Sequence, residues 1–114
     1  MITVNRTAIV VTPGQPFLEW LHQVDPTSGE LNLEDLRREP TVYLLPECED
    51  EGEARRYLKD VCGRIFEEEL DGWHRVPSSW PDRRDLEAFN HWFEWSYHSV
   101  VIDLGNEPLL QEEI

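Results

Sequence analysis

Basic residues are scarce in this sequence. Ten Lys and Arg stand against 24 Asp and Glu in 114 residues, a formal net charge of −14, and Lys59 is the single lysine. Proteins that bind DNA, RNA or an anionic membrane surface do so through basic patches that meet the phosphate charge. We therefore predict no direct binding to nucleic acid and no membrane binding. A basic protein partner, a divalent cation, or an acidic surface that serves only solvation all remain compatible with this charge.

Cysteine is almost absent, and long apolar runs are missing. Cys48 and Cys62 form no CxxC pair and have no histidine at zinc-ligand spacing. If residues 51–71 form a helix, Cys62 lies about 16 Å along its axis from its start, so a disulfide to Cys48 is not expected. Two reduced thiols, the lack of a signal-peptide pattern and the lack of a membrane-spanning run together predict a cytoplasmic protein.

Short catalytic motifs are also missing. The sequence has no GxSxG, no glycine-rich phosphate loop and no HExxH. We assign no catalytic, cofactor-binding or metal-ligating residues and interpret the protein as non-catalytic. The alternative is a small metal-dependent or acid/base enzyme in which His74 or His98 works with a carboxylate, because histidine titrates near neutral pH. Asp103 with His74 is one such pair.

Aromatic residues, in contrast, are abundant. The chain has five Trp, four Phe and three Tyr, and 39% of its residues are hydrophobic. A chain of this length buries roughly two thirds of the surface that its unfolded state exposes, which is enough for a core without metal or disulfide staples. We predict a single globular domain over residues 1–114, with an acidic C-terminal tail at residues 106–114.

Hydrophobic periodicity predicts the secondary structure. Short β-branched runs indicate strands, and apolar residues at helical spacing indicate amphipathic helices. Asn32, Asp50 and Asp82 are placed as helix N-caps. The predicted strands are residues 7–13, 41–46 and 96–105, and the predicted helices are residues 16–24, 33–39, 51–71 and 83–95.

This order of elements predicts an α/β or α+β fold. We expect one layered domain in which a small three- to four-stranded sheet packs against three to four helices. The unbroken apolar run in residues 7–13 predicts a strand covered on both faces. Gly72 is predicted to end the long helix in a left-handed conformation, and Gly63 to be approached closely by a neighbouring element. The aromatic side chains of residues 89–97 are interpreted mainly as core packing.

One acidic segment breaks a local rule. Residues 67–74, EEELDGWH, place carboxylates near a helix C-terminus, where the helix dipole favours cations. Such carboxylates would steer a basic protein partner, and nearby tryptophans would supply buried area. The predicted partner-binding surface therefore consists of Glu67, Glu68, Asp71, Trp73, His74 and Trp80. The alternatives are a solvated helix face for the carboxylates and a lid over the core for the tryptophans.

Two other interactions fit the sequence. A chain of charge −14 could mimic nucleic acid and occupy a basic DNA-binding protein, which is a special case of the partner-binding interpretation. Homo-oligomer formation is the other, either through a sheet edge or through the tail EPLLQEEI, in which Leu109 and Leu110 are apolar.

Four segments carry a resemblance to other proteins. RTAIVVTPGQPFLEWL, TVYLLPE, EEELDGWH and FNHWFEW, in this order, resemble segments of small bacterial proteins of about this length whose function is uncharacterised. The resemblance covers nearly the whole chain. It implies a bacterial, cytoplasmic, single-domain protein and brings no catalytic residue or activity. Nine of the ten basic residues are Arg, which is typical of a bacterial source with high GC content.

Overall fold

A computed structural model describes all of residues 1–114. Five strands and four α-helices follow one another along the chain, with short 3₁₀ turns at Pro26–Ser28 and Pro77–Ser79. Residues 106–114 carry no helix or strand. The elements are β1 (Ile2–Thr3), β2 (Arg6–Pro13), α1 (Gln15–Val24), α2 (Leu33–Leu36), β3 (Thr41–Pro46), α3 (Glu51–Trp73), α4 (Leu86–Trp92), β4 (Phe93–His98) and β5 (Ile102–Asp103).

The main sheet has three strands in the order β3-β2-β4. Both pairings are antiparallel, and Ile9 of β2 lies between Tyr43 of β3 and Tyr97 of β4. β1 and β5 form a separate two-stranded antiparallel ribbon, in which Ile2 pairs with Asp103. The predicted class is confirmed: helices pack on a small sheet, and the antiparallel topology makes the fold α+β.

The central strand β2 is fully covered on one face only. Thr7, Ile9 and Val11 are at most 1% exposed, whereas Val10 and Thr12 on the opposite face are half-buried. The prediction of a strand covered on both faces was wrong at these two positions, although Ala8 on the same face is buried, with 6% of its surface exposed. All four helices leave the second face of this antiparallel sheet open, which antiparallel sheets tolerate.

Aromatic rings build the layer between the sheet and the helices. Phe66 of α3 meets Phe93 of β4 edge-to-face with ring centroids 5.0 Å apart, and Phe89 of α4 lies 5.0 Å from the same ring. Phe17 of α1 contacts both Trp92 and Phe93. Tilted and edge-to-face pairs of this kind add to the free energy gained from burial alone. The interpretation of these aromatics as core is confirmed.

The long helix α3 begins as predicted and ends later. The Asp50 carboxylate accepts a hydrogen bond from the Glu53 N–H at 2.8 Å, which caps the helix. The helix then continues through Gly72 to Trp73, because the His74 N–H still donates to the Leu70 carbonyl oxygen at 2.8 Å. No glycine has a positive φ, so the predicted left-handed Gly72 was wrong.

Gly63, within the same helix, has a neighbour at ordinary distance. A Cβ built there would lie 3.7 Å from the Arg84 carbonyl oxygen. The predicted contact exists, but it leaves room for a methyl group. The close approach occurs instead at Gly14, where a Cβ would lie 3.0 Å from the Trp92 carbonyl oxygen. The Gly14 N–H donates to that oxygen at 2.7 Å and joins the end of β2 to the end of α4.

The helix predicted for residues 83–95 is shorter at both ends. Asp85, rather than Asp82, caps it by accepting a hydrogen bond from the Ala88 N–H at 2.9 Å. The helix ends at Trp92, and Phe93 is extended and pairs with Pro13 of β2. The predicted strand at residues 96–105 is therefore two strands, β4, which begins at Phe93, and β5.

No helix in this fold has both the length and the apolar character needed to cross a membrane.

Candidate functional site

The two tryptophans of the predicted surface play different roles. Trp73 is the last residue of α3, and 38% of its surface is exposed. Trp80 is half-buried against the core, and its indole N–H donates to the His74 carbonyl oxygen at 2.8 Å. A buried tryptophan commonly satisfies its indole N–H in this way while its ring packs on the core. The structure therefore gives Trp80 the role of a lid over the core.

His74 belongs to the same lid. Its half-buried ring meets the Trp20 ring edge-to-face, with centroids 6.0 Å apart. Trp20 in turn donates its indole N–H to the Ser79 carbonyl oxygen at 2.8 Å. These contacts join Trp20 of α1 and the core-packed Trp80 to His74 and to the 3₁₀ turn at Pro77–Ser79, and together they cover part of the core.

The three predicted carboxylates are also distinct. Glu67 accepts a hydrogen bond from Arg84 at 3.0 Å, and Asp71 lies 3.9 Å from Arg75. Glu68 is exposed and takes part in none of the seven ion pairs of the protein. The exposed ion pairs contribute little to stability. Glu68 is thus the carboxylate most available to an incoming cation.

Glu68 and Trp73 come together in an open cleft at one end of the sheet. The cleft has a volume of about 440 Å³ and lies between the end of α2, the start of β3 and the last turns of α3. We call it the acidic cleft. Its walls carry four carboxylates and one guanidinium, and that guanidinium, Arg38, is paired with Asp35 at 3.1 Å. The full lining is Pro13, Asp35, Leu36, Arg38, Glu39, Thr41, Glu68, Glu69, Gly72 and Trp73.

The innermost carboxylate of the cleft is Glu69. It accepts a hydrogen bond from the Tyr43 hydroxyl at 2.7 Å. Burial raises the pKa of Glu69 above its ordinary value, and the hydrogen bonds from Tyr43 and Thr41 offset part of that rise. Burial, with Glu69 nearby, also raises the pKa of Tyr43 far above its ordinary value. Glu69 is partly buried, whereas Glu68 and Glu39 are exposed, so these two carboxylates are the most accessible in the cleft.

Sequence reasoning missed Glu69, although a signal was present. Leu58, Cys62 and Ile65 are buried on α3, and Glu69 continues this stripe at i, i+4, i+7 and i+11. A carboxylate at a core-facing helical position is expected to need a hydrogen-bond donor from the facing strand. Asp35 and Glu39 lie far from α3 in sequence, and their place in the cleft follows only from the packing of the chain.

The histidines of the enzyme alternative lie apart from the cleft. His98 is exposed on the open face of the sheet, with its Nε2 2.8 Å from the Ser96 Oγ. His74 lies toward Asp25, whose pKa is lowered first by hydrogen bonds from Thr27 and then slightly by His74. Asp103 lies in the ribbon beyond the start of β2, at the opposite end from His74. No three His, Cys, Asp or Glu side chains converge as metal ligands.

Both cysteines are free thiols. Cys62 is buried and Cys48 is half-buried. Burial raises the pKa of Cys62, which makes it a poor nucleophile. The two thiols add no chemistry to the cleft.

Comparisons with protein-family models, with curated proteins and with solved structures found no match to this chain. The interpretation of the acidic cleft therefore rests on its own geometry and charge.

Proposed function

We propose that this chain is a non-catalytic interaction module of the bacterial cytoplasm that binds a basic segment of a partner protein in the acidic cleft. The proposal rests on one observation. Glu68, an exposed carboxylate that forms no ion pair, and the exposed Trp73 line the same open cleft. The proposed surface keeps these two residues of the predicted set and adds Glu39, Asp35 and Glu69.

Charge supports a basic partner in two ways. At long range, the net charge of −14 speeds the encounter with a basic surface and slows that with nucleic acid or an anionic membrane. At short range, the cleft walls offer four carboxylates against one guanidinium that is already paired. An arginine or lysine side chain entering the cleft would form charge-assisted hydrogen bonds with these carboxylates.

Trp73 supports the same class of ligand. Its ring is exposed at the mouth of the cleft, and cations bind favourably to the face of an indole within about 6 Å. Binding a partner there would cover a large apolar area at little entropic cost, since Trp has only two side-chain torsions. The lid formed by Trp80, His74 and Trp20 supports this position by fixing the chain directly after α3.

The test is a partner capture with matched charge variants. Wild-type protein, Glu68→Lys, Trp73→Ala and the control Glu19→Lys are tagged and expressed in the native cytosol, and captured proteins are eluted in salt steps and identified by mass spectrometry. Glu19 is exposed on α1, away from the cleft, so the control makes the same change of charge elsewhere. Circular dichroism establishes that every variant is folded.

We expect a basic partner that is retained by the wild type and by Glu19→Lys, and that is weakened about tenfold by Glu68→Lys and by Trp73→Ala. The partner should be released by moderate salt, because screening weakens charge steering. Retention of the same partner by all four proteins would show that the acidic cleft is not its binding site.

A further inference from the structure

One edge of the main sheet is unprotected. β3 pairs only with β2, so its outer side carries no strand. All six of its residues are uncharged, and Val42 and Leu44 are 57% and 53% exposed on the open face of the sheet. Edge strands usually carry charges, bulges or a covering element that prevents them from pairing with another chain. The composition of β3 is typical of a strand whose edge is used.

A groove runs beside this edge. It has a volume of about 540 Å³, and six of its ten lining residues are hydrophobic. Its floor is formed by Leu45 and Ile65, which are 4% exposed, and its far wall by the part of α3 from Val61 to Glu68. The lining residues are Thr41, Tyr43, Leu44, Leu45, Pro46, Val61, Arg64, Ile65, Glu68 and Ile114. Ile114 is fully exposed and therefore does not fill the groove.

The groove is continuous with the acidic cleft. Thr41 and Glu68 line both, so a chain lying along β3 would pass from one to the other. A strand added at this edge would direct every second side chain into the groove, because side chains alternate between the two faces of a sheet. A residue just beyond the Thr41 end of such a strand would reach Glu68.

The charges at the two ends of β3 define what fits there. Glu39 precedes the strand, and Glu47 and Glu49 follow it, all of them exposed. A second copy of this chain would bring like charges together: in a two-fold antiparallel pairing centred on Tyr43, Glu39 of one copy faces Glu47 of the other. Like charges directly opposite each other destabilise a strand pair. A segment with an apolar centre and basic flanks meets the opposite charge at both ends.

We propose that the partner adds a strand to the free edge of β3. The added segment is extended, has apolar side chains at alternate positions that enter the groove, and carries Lys or Arg beside them, one of which enters the acidic cleft. Backbone hydrogen bonds to β3 would supply affinity, and the groove and cleft would supply specificity, as in other complexes formed by strand addition. This inference rests on the proposed function, since it describes how the basic partner is held.

The test uses a displayed library of random peptides of about 12 residues, long enough for a strand of the length of β3 with flanks. The library is selected on the full-length protein. The best enriched peptide is then synthesised in two forms, one plain and one N-methylated at alternate backbone nitrogens, which removes strand pairing and keeps the side chains. Binding of both forms is measured to the wild type, Val42→Lys and Ser96→Lys, and amide hydrogen exchange is measured with and without the plain peptide.

We expect enriched peptides that combine alternating β-branched or aromatic residues with flanking Lys or Arg. N-methylation and Val42→Lys should each weaken binding at least about tenfold, and Ser96→Lys, at the equivalent position on the opposite edge strand, should not. The plain peptide should protect the outward amides of β3 from exchange.

Other results would overturn strand addition, and they differ in what they imply for the proposed function. Basic peptides that bind equally well after N-methylation, without protection of β3, would place binding in the cleft alone: the proposed function stands and strand addition fails. Enriched peptides without Lys or Arg would remove the charge argument behind both. Strand addition by a partner would also be overturned if no peptide is enriched. The same holds if a second copy occupies the edge, which would be seen as a dimer that Val42→Lys disrupts. In both cases the partner capture with Glu68→Lys decides the proposed function separately.

Discussion

The two edge strands of the main sheet flank the same central strand and differ in the side chains that they expose. β3 and β4 are each six residues long and both run antiparallel to β2. On the open face of the sheet, β4 presents Glu94, Ser96 and His98, and β3 presents Val42, Leu44 and Pro46. Glu94 also forms an ion pair with Arg37 at 3.3 Å. Polar and charged side chains protect β4 from pairing with other chains, and nothing equivalent protects β3.

The two edges also differ on the covered face. β4 is anchored by Phe93, which is 3% exposed and packs against three other phenylalanines. β3 has one buried side chain, Leu45, and a hydrogen bond from Tyr43 to a partly buried carboxylate. The comparison teaches that β4 is fixed by core packing, whereas β3 packs less tightly and leaves more of its side chains exposed. The following substitutions test it in order of expected effect.

The largest expected effect on stability comes from the buried side chain of each edge strand, Phe93 in β4 and Leu45 in β3. Phe93→Ala should lower the free energy of unfolding by about 3–5 kcal/mol, because it removes a ring from the centre of the aromatic layer and leaves a cavity. Leu45→Ala at the other edge should cost less, about 2–3 kcal/mol, since the groove beside it is open to water and limits the transfer term. Urea denaturation measures both. Equal losses would show that the two edges are anchored alike.

The second test uses the two tyrosines that face Ile9 from either side. Tyr43→Phe should cost about 1 kcal/mol, because the partly buried Glu69 carboxylate loses one of its hydrogen-bond donors. Tyr97→Phe is the control: its hydroxyl reaches the Cys48 carbonyl oxygen only at 3.5 Å, so its removal should cost distinctly less. A larger loss for Tyr97→Phe in urea denaturation would contradict the assigned role of the Tyr43–Glu69 hydrogen bond.

The third test concerns pH. Burial holds the pKa of Glu69 above its ordinary value of 4.5 in the folded protein, so just above that pH the folded state keeps a proton that the unfolded chain has lost. Over this range the contribution of Glu69 to the free energy of unfolding falls as pH rises, and the loss is complete above the raised pKa. Glu69→Gln removes this dependence and should stabilise the protein at pH 7 relative to the wild type.

The measurement is the difference in the free energy of unfolding between Glu69→Gln and the wild type from pH 4 to pH 8. The difference should increase in favour of Glu69→Gln as pH rises above 4.5, the ordinary pKa of this side chain, and then level off. Glu67→Gln is the control, because it makes the same chemical change on the same helix at a carboxylate that faces Arg84 and not Tyr43. A difference that does not change with pH would contradict the raised pKa of Glu69.

The smallest expected effect on stability comes from the open face. Val42 and Ser96 both pair with Val10, one on each edge strand. Val42→Lys and Ser96→Lys should each change the free energy of unfolding by no more than about 0.5 kcal/mol, since both positions are exposed. A loss of more than about 1 kcal/mol for Val42→Lys would mean that Val42 stabilises the fold itself, and its exposure would no longer indicate an available edge.

Elements with one unambiguous period could be predicted from the sequence. α3 has apolar residues at helical spacing and a cap at Asp50, and β3 is bounded by prolines, so both were found at nearly their true positions. The α4–β4 junction could not be read in this way. Phe89 and Phe93 fit a helical period, Phe93, Trp95 and Tyr97 fit a strand, and the choice is made by the pairing of Phe93 with Pro13 across 80 residues of chain.

The candidate site was predicted only in part for a related reason. Sequence could group Glu68 and Trp73 because both lie at the end of one helix. Trp80 looked equivalent to Trp73 in sequence, but in the folded chain Trp80 packs against the core and bonds the His74 carbonyl oxygen, whereas Trp73 stays exposed. Asp35 and Glu39 reach the cleft through tertiary packing, and no local sequence pattern predicts that they lie near the end of α3.

The unprotected edge of β3 has a consequence for the colloidal stability of the protein. β3 carries no charge along its length, and only the carboxylates at its two ends oppose the approach of another copy. The net charge of the chain falls to zero near pH 4.5, its isoelectric point, and the net repulsion between molecules disappears there. The uncharged six-residue edge strand β3 can then pair with β3 of other molecules. We therefore expect this protein to precipitate as β-rich aggregates near its isoelectric point while its helices and core are still folded. Acid would then remove the charge repulsion between molecules before it unfolds the chain.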